Sequence, residues 1–460
     1  MGDFVSIDKA LQLSREKNNK YYRDYVNPAL AKIYNLLNFN KKYIKAKGCK
    51  VWDNEGKEYL DFLGAFGALN FGHNQPEIYT ALDKVKNKPI LLQASIGVIT
   101  GVAARNVSKL LPGNLTNTFF CNSGAEAVEG AIKLARAASN KKKIIYCQGS
   151  FHGKTMGALS ITGKKKYQKP FQPLIGATEN IPFANINSLE YKLKNDDVAA
   201  FIVEPIQGEG GIIVPPRGYL KKVRELCDKY NTYLILDEIQ TGFGRTGKDF
   251  ACEHDEIAPD IITLAKSLGG GIMPVGAFVS RKEIWNKAYG SINKALLHSS
   301  TFGGNTLSCA AVIAVINQLN NLKLSSKAAE KGDYLIAKLK KMEKKYELIK
   351  EVRGRGLMIG IEFKQAEDSL LNKISGGMLR KVSYEYLGAM IAGTLLNDYQ
   401  IITAYTLNNP NVIRLEPPLI ISYEDIDKLI NALDCIFSEN NGFINITVQN
   451  AKKLIGNYFK

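Results

Sequence analysis

Between residues 76 and 325, short apolar runs alternate with stretches of helical periodicity. The runs fall at 118–121, 143–147, 199–204, 233–237, 261–264 and 276–280, and amphipathic patterns such as 218–230 lie between them. A strand that returns parallel to its predecessor needs a crossover, usually a helix. The alternation therefore predicts an α/β domain around a mainly parallel sheet. Outside this region the pattern changes. Residues 1–48 read as polar helix and connector, and 51–61 alternate about the turn-prone NEG at 54–56, as a hairpin does. Beyond 325, residues 326–346 read as a long charged helix, 357–363 and 412–416 as strands, and 422–437 as a helix. The expected organisation is an N-terminal segment, 1–75, a large domain, 76–325, and a smaller α+β domain, 326–460.

Composition narrows the function classes. The 460 residues are 45% hydrophobic and 23% charged, so a sizeable core forms without disulfides or structural metals. The longest apolar runs, such as 310–316, fall far short of the roughly 18 residues of a membrane span, and no membrane partner is expected. The N-terminus lacks the apolar stretch of a secretory signal. The seven cysteines are scattered with no CxxC pair, and only four histidines are present. That argues against a metal site or a disulfide framework, and it suits a reducing cytoplasm. Net charge is +17, and residues 141–170 hold eight lysines with no acid. No arginine-rich helix, RNP-like motif or zinc finger accompanies them, so the expectation is a solvated basic surface and no nucleic-acid partner.

One glycine-rich segment imitates nucleotide motifs. Gly242, Gly244 and Gly247 fit GxGxxG, and Gly242 through Lys248 nearly fits a P-loop. A dinucleotide turn follows its strand directly and opens a helix, whereas five residues intervene here after Leu236 and no helical start follows. Asp249 stands where a P-loop needs Ser or Thr, and its carboxylate would repel phosphate. A plain Gly-rich loop is the better reading.

Three features combine into chemistry. The segment YLILD is an apolar strand ending in Asp237, at the carboxyl end where open α/β sheets bind ligands. A buried carboxylate there wants a cationic partner, such as a protonated ring nitrogen. The run IITLAKSLGGG meets Lys266 at its end, where burial lowers a lysine pKa and frees a nucleophilic amine. The run FFCNSGAE leads into a helix whose apolar face is Val128, Ala131, Ile132 and Ala135. Ser123 and Glu126 form a capping pattern, and Gly124 and Ala125 leave first-turn N–H groups for a phosphate. Taken singly, these features also read as a surface lysine and an ordinary capped helix. Taken together, a phosphate cradle, a buried carboxylate and a strand-end lysine meet the needs of pyridoxal 5'-phosphate.

At this point the chain resembles the class III, ornithine-type aminotransferases of PLP fold type I. The resemblance rests on CNSGAE at 121–126, SFHG at 150–153, EPIQGEG at 204–210, LDEIQTG at 236–242, PDIITLAK at 259–266 and TFGGN at 301–305. It runs from about residue 43 to 418. Segments such as KPFQPL at 169–174, FACEH at 250–254, LGGGIMP at 268–274 and IRLEPP at 413–418 are similar to the putrescine branch.

The resemblance implies a mainly parallel seven-stranded sheet in the large domain, with residues 1–75 joining the small domain and dimer contacts. It implies that Lys266 holds the cofactor aldehyde and shuttles a proton, that Asp237 pairs with the pyridine nitrogen, and that Gln240 meets the phenolic oxygen. Phe151 would stack on the ring beside His152, and Ser123, Gly124 and Ala125 would hold the phosphate. Thr301 would reach that phosphate from a neighbouring subunit, making a homodimer or a dimer of dimers. Arg414 would grip a substrate carboxylate, and Glu209 would pair with Arg414 when the donor carries none. Arg414, two residues from Glu416 in an apolar strand, also admits a structural ion pair.

The expected activity is transfer of a terminal amine, with putrescine as donor and 2-oxoglutarate as acceptor. Ornithine, N-acetylornithine, 4-aminobutyrate, lysine or cadaverine are alternative donors. A PLP-dependent aminomutase and a binding protein built on the lysine patch are the other classes.

Overall fold

The computed structural model describes residues 4–92, 94–364 and 378–439. The polar N-terminus forms helices Ile7–Gln12, Arg15–Tyr25 and Pro28–Leu36, capped by Ser6, Ser14 and Asn27, whose side chains accept first-turn N–H bonds. Strand β1 (Tyr43–Lys47) then pairs antiparallel with β2 (Lys50–Asp53), and β2 with β3 (Glu58–Asp61). The hairpin read at 51–61 is the β2–β3 pair. Its turn is held by Asp53, whose Oδ1 accepts the N–H of Glu55 and Lys57.

The alternating region builds one seven-stranded sheet from β4 (Leu115–Cys121), β5 (Lys143–Cys147), β6 (Thr178–Ile181), β7 (Val198–Val203), β8 (Tyr233–Asp237), β9 (Ile261–Leu264) and β10 (Gly276–Arg281), in the order β4-β10-β9-β8-β7-β5-β6. Strand β10 runs antiparallel to both its neighbours, and the other pairings are parallel. The central strands β7, β8 and β9 are buried almost throughout, as a sheet covered on both faces requires. Six of these strands are the six apolar runs. The seventh, β6, has the sequence TENI and lies at the sheet edge, where one partner and partial exposure leave little hydrophobic signal.

A third sheet, β11 (Ile349–Arg355), β12 (Met358–Phe363), β15 (Val412–Leu415) and β14 (Ala404–Tyr405), belongs to the C-terminal part. Strand β13 (Ile401–Ile402) instead runs parallel to β3 and ties this part to the N-terminal sheet. Helices Leu324–Lys345 and Tyr423–Glu439 match the two helices read there, and helix Met378–Tyr399 is additional. Among the described residues no single helix is long and apolar enough to cross a membrane. The apolar helix Thr306–Asn321 buries most of its side chains in the core.

Candidate active site

Strands β4, β5, β7, β8 and β9 point the same way, so their carboxyl ends converge on one edge. Each end delivers a different group: Ser123 after β4, Phe151 and His152 after β5, Glu204 after β7, Asp237 on β8 and Lys266 after β9. This is the strand-end crevice in which open α/β sheets hold ligands.

Asp237 is buried and fixed from three sides. Its Oδ2 lies 2.7 Å from His152 Nδ1, and its Oδ1 accepts from Thr263 Oγ1 and from the Ile239 N–H, both at 3.2 Å. Thr263 is its register partner on β9. His152 is buried too. Burial opposes its charge, but the Asp237 carboxylate, helped by Glu204, raises its pKa above the ordinary histidine value. Its Nε2 meets no hydrogen-bond partner among the described residues. Glu204 accepts the N–H of Phe151 at 3.0 Å and of Gly208 at 3.2 Å. Burial, reinforced by Asp237 against the opposing pull of His152, pushes its carboxyl up to about 7.

Lys266 follows β9 in the left-handed region at φ 47°, a conformation costly for a side-chain-bearing residue and common where function demands a fixed pose. The next residue anchors it, since Ser267 Oγ donates to Gly67 O at 2.9 Å. Burial lowers the Lys266 pKa, against opposing pulls from Glu416, Glu209 and Asp237.

A second charge cluster lies beside the first. Arg414 on β15 is fully buried, 2.7 Å from Glu209 and 3.2 Å from Glu416. Burial opposes its charge, yet the two carboxylates more than compensate and raise its pKa. Its guanidinium lies 5.2 Å from the centre of the Phe66 ring. Phe66 and Ala65 both sit at positive φ, 60° and 50°, in a tight turn against Glu416. Gln240 donates to Phe66 O at 3.1 Å and to Glu416 Oε2 at 3.2 Å.

One cavity of about 670 Å³ gathers these groups. Ser123, Gly124, Ala125, Phe151, His152, Glu209, Asp237, Gln240 and Lys266 all line it, and Arg414 stands behind Glu209. Helix Gly124–Ser139 opens onto it. Ser123 Oγ accepts the Glu126 N–H, while the N–H groups of Gly124 and Ala125 have no intrahelical acceptor. Thr301 is exposed and is not part of this chain's cavity wall. The other histidines lie elsewhere: His73 pairs with Asp61, His254 with Thr246, and His298 packs on Phe119. The Gly-rich loop at 242–247 is a buried connector. Its Arg245 donates to Leu357 O at 3.0 Å, Pro417 O at 2.6 Å and Asn70 at 2.5 Å, and burial lowers its pKa to about 10.

Residues 35–437 match the family model described as "Aminotransferase class-III". The chain belongs to the class-III aminotransferase family. Solved structures agree across nearly its whole length. An ornithine aminotransferase from Toxoplasma gondii is 32% identical with a TM-score of 0.81, over 94% of this chain and 96% of that one. An acetylornithine aminotransferase from Elizabethkingia anophelis is 33% identical with a TM-score of 0.71, over 87% and 94%. An (S)-enantioselective omega-transaminase from Thermomicrobium roseum is 29% identical with a TM-score of 0.78, over 87% and 92%.

This aminotransferase has the PLP fold type I and uses pyridoxal 5'-phosphate. Its residues fit that cofactor on their own terms. A helix N-terminus with open donors suits the phosphate, a buried carboxylate suits a protonated ring nitrogen, and a pKa-lowered amine suits an aldehyde. The sequence reading left two groups out of the site, Glu204 and Phe66, and treated Glu416 only as a structural partner of Arg414. EPIQGEG holds the first signal, since a glutamate ending a strand of five apolar residues has the same form as YLILD. Phe66 carries none, because it comes from a turn far away in sequence.

Proposed function

We propose that this aminotransferase moves a terminal amine from putrescine to 2-oxoglutarate, giving 4-aminobutanal, which cyclises to 1-pyrroline, and L-glutamate. When bound, the cofactor supplies an aldehyde that condenses with amines and a ring that withdraws electrons from the carbon being deprotonated. The protein's residues do the rest. Lys266 Nζ, neutral because it is desolvated, holds the aldehyde until a donor displaces it. It then takes the proton from the donor carbon next to nitrogen. Asp237 stabilises a protonated ring nitrogen, and His152 fixes the carboxylate's orientation at 2.7 Å. Phe151 packs on the ring, and Ser123, Gly124 and Ala125 cradle the phosphate. Thr301 is assigned to the phosphate of a neighbouring subunit in a homodimer. A reducing cytoplasm suits a chain whose seven cysteines are all unpaired.

The observation that carries the donor assignment is the closed Arg414–Glu209 pair. With Glu416 the cluster holds one cation and two carboxylates in their ordinary ionised forms, an excess of one negative charge. Such a cluster suits a donor that ends in a second ammonium and carries no carboxylate. For 2-oxoglutarate, Glu209 must release Arg414, whose planar fork then binds a carboxylate.

The test is a half-reaction with purified protein, cofactor and one donor at a time. Putrescine should bleach the visible absorbance of the bound cofactor, and 2-oxoglutarate should restore it. Bleaching by ornithine, N-acetylornithine or 4-aminobutyrate but not by putrescine would move the donor within the family. Bleaching by no terminal amine would overturn the reading.

A further inference from the structure

Beside the active-site cavity lies a second chamber of about 710 Å³, and the two share Phe66 and Glu209. Its walls come from elements outside the large sheet: helices Arg15–Tyr25 and Pro28–Leu36, β1, helix Met378–Tyr399, and β14. Tyr22, Tyr34, Phe39, Tyr43 and Tyr405 present rings to it, with aliphatic side chains between them. Ala404 pairs in register with Arg414, so the chamber floor continues the sheet that carries the guanidinium.

The charges on this wall are few. Glu209 is its one carboxylate among the lining residues, and it is committed to Arg414 at 2.7 Å and to the Leu407 N–H at 2.7 Å. The one ammonium is Lys41, whose charge is disfavoured by burial, Arg15 and Lys57. A cation reaching past Glu209 would meet no free acid and one lysine. A neutral apolar arm would meet aromatic and aliphatic surface. We propose that this chamber is a donor subsite for an uncharged alkyl or aryl arm, so that the enzyme accepts primary monoamines whose chains run past Glu209. This rests on the terminal-amine reading above and extends its substrate class. Putrescine stops at Glu209, whereas longer monoamines continue into the chamber.

The experiment measures kcat/KM of the half-reaction on the holoenzyme for butylamine, hexylamine, octylamine and the matching α,ω-diamines. Monoamines should gain about fourfold for each methylene that enters the chamber, and diamines longer than putrescine should lose. Ala404→Trp, which fills the chamber, should cut the octylamine-to-butylamine ratio by about tenfold or more. Ile33→Lys, on a half-exposed wall position, tests the same point without burying a new ring and should lower the same ratio. A monoamine profile that is flat or falls with length while putrescine still reacts would overturn the subsite and spare the terminal-amine reading. That result would leave the chamber to another occupant, such as a second copy of the chain. Equal gains for diamines and monoamines would also overturn it. A protein that responds to no amine at all would overturn both.

Discussion

Replacing Glu204 with glutamine should reverse the pH dependence that this carboxyl imposes on stability. Burial holds the group at about 7 in the folded, cofactor-free protein, against an ordinary value of 4.5. The difference is about 2.5 units, which at about 1.4 kcal/mol per unit is about 3 kcal/mol. The folded pKa lies above the unfolded one, so the folded state binds the proton more tightly. Stability is therefore unimpaired below the unfolded value, falls as pH rises through the window between 4.5 and about 7, and carries the full penalty above it. Glutamine has no proton to lose. Its single oxygen can accept only one of the two N–H groups, from Phe151 and Gly208, that Glu204 now satisfies, at a pH-independent cost of about 1–3 kcal/mol. The variant should thus be the weaker protein in mild acid, and should draw level or overtake as the wild type loses about 3 kcal/mol towards alkaline pH. Denaturant midpoints for both proteins at a series of pH values check the crossing. An infrared difference spectrum should show a protonated carboxyl titrating near 7 that disappears in the variant. A stability gap that stays constant with pH, or no protonated carboxyl band in mild acid, would refute the assignment of the penalty to Glu204.

Lys266→Ala should abolish turnover while the cofactor still binds non-covalently, seen as retained cofactor in a dialysed sample with no amine-dependent spectral change. Arg414→Ala should lower kcat/KM for 2-oxoglutarate by at least about thirtyfold and for putrescine far less, since only the oxo acid needs the fork. Equal losses would remove the switch. Gly130→Ala would place a methyl 2.1 Å from the Phe278 ring on β10, and should destabilise by about 1–3 kcal/mol in thermal unfolding without changing cofactor affinity.

The parts of the fold legible in the sequence are those where burial on both faces leaves continuous apolar runs. Runs 143–147, 233–237 and 261–264 are strands β5, β8 and β9 to the residue. Where one face or one edge meets solvent, the signal fades. Strands β6 and β11, with sequences TENI and IKEVRGR, are held by their neighbours' backbone and not by their own hydrophobicity. The two-residue strands β13 and β14 form because β3 and β15 offer partners, which no local pattern announces.

The site divides along the same line. Lys266, Asp237 and Ser123 each end or follow an apolar strand of the large sheet, so their positions follow from the strand-end rule once the strands are placed. The second charge cluster does not. Arg414 and Glu416 lie on and after a strand of the C-terminal sheet, Glu209 in a loop after β7, and Phe66 in a left-handed turn after β3. Their meeting depends on the packing of three sheets. Composition along the chain shows only an arginine near one acid, whereas the folded protein sets it between two, at 2.7 and 3.2 Å, under an aromatic ring. That arrangement makes the cluster sensitive to which substrate arrives. A fully buried guanidinium cannot stay unpaired without a large desolvation penalty. Glu209 can therefore leave Arg414 only when another carboxylate takes its place, and 2-oxoglutarate brings one. The same constraint keeps the pair closed for a carboxylate-free amine, and so leaves Phe66 and Glu209 in place as the boundary between the two cavities.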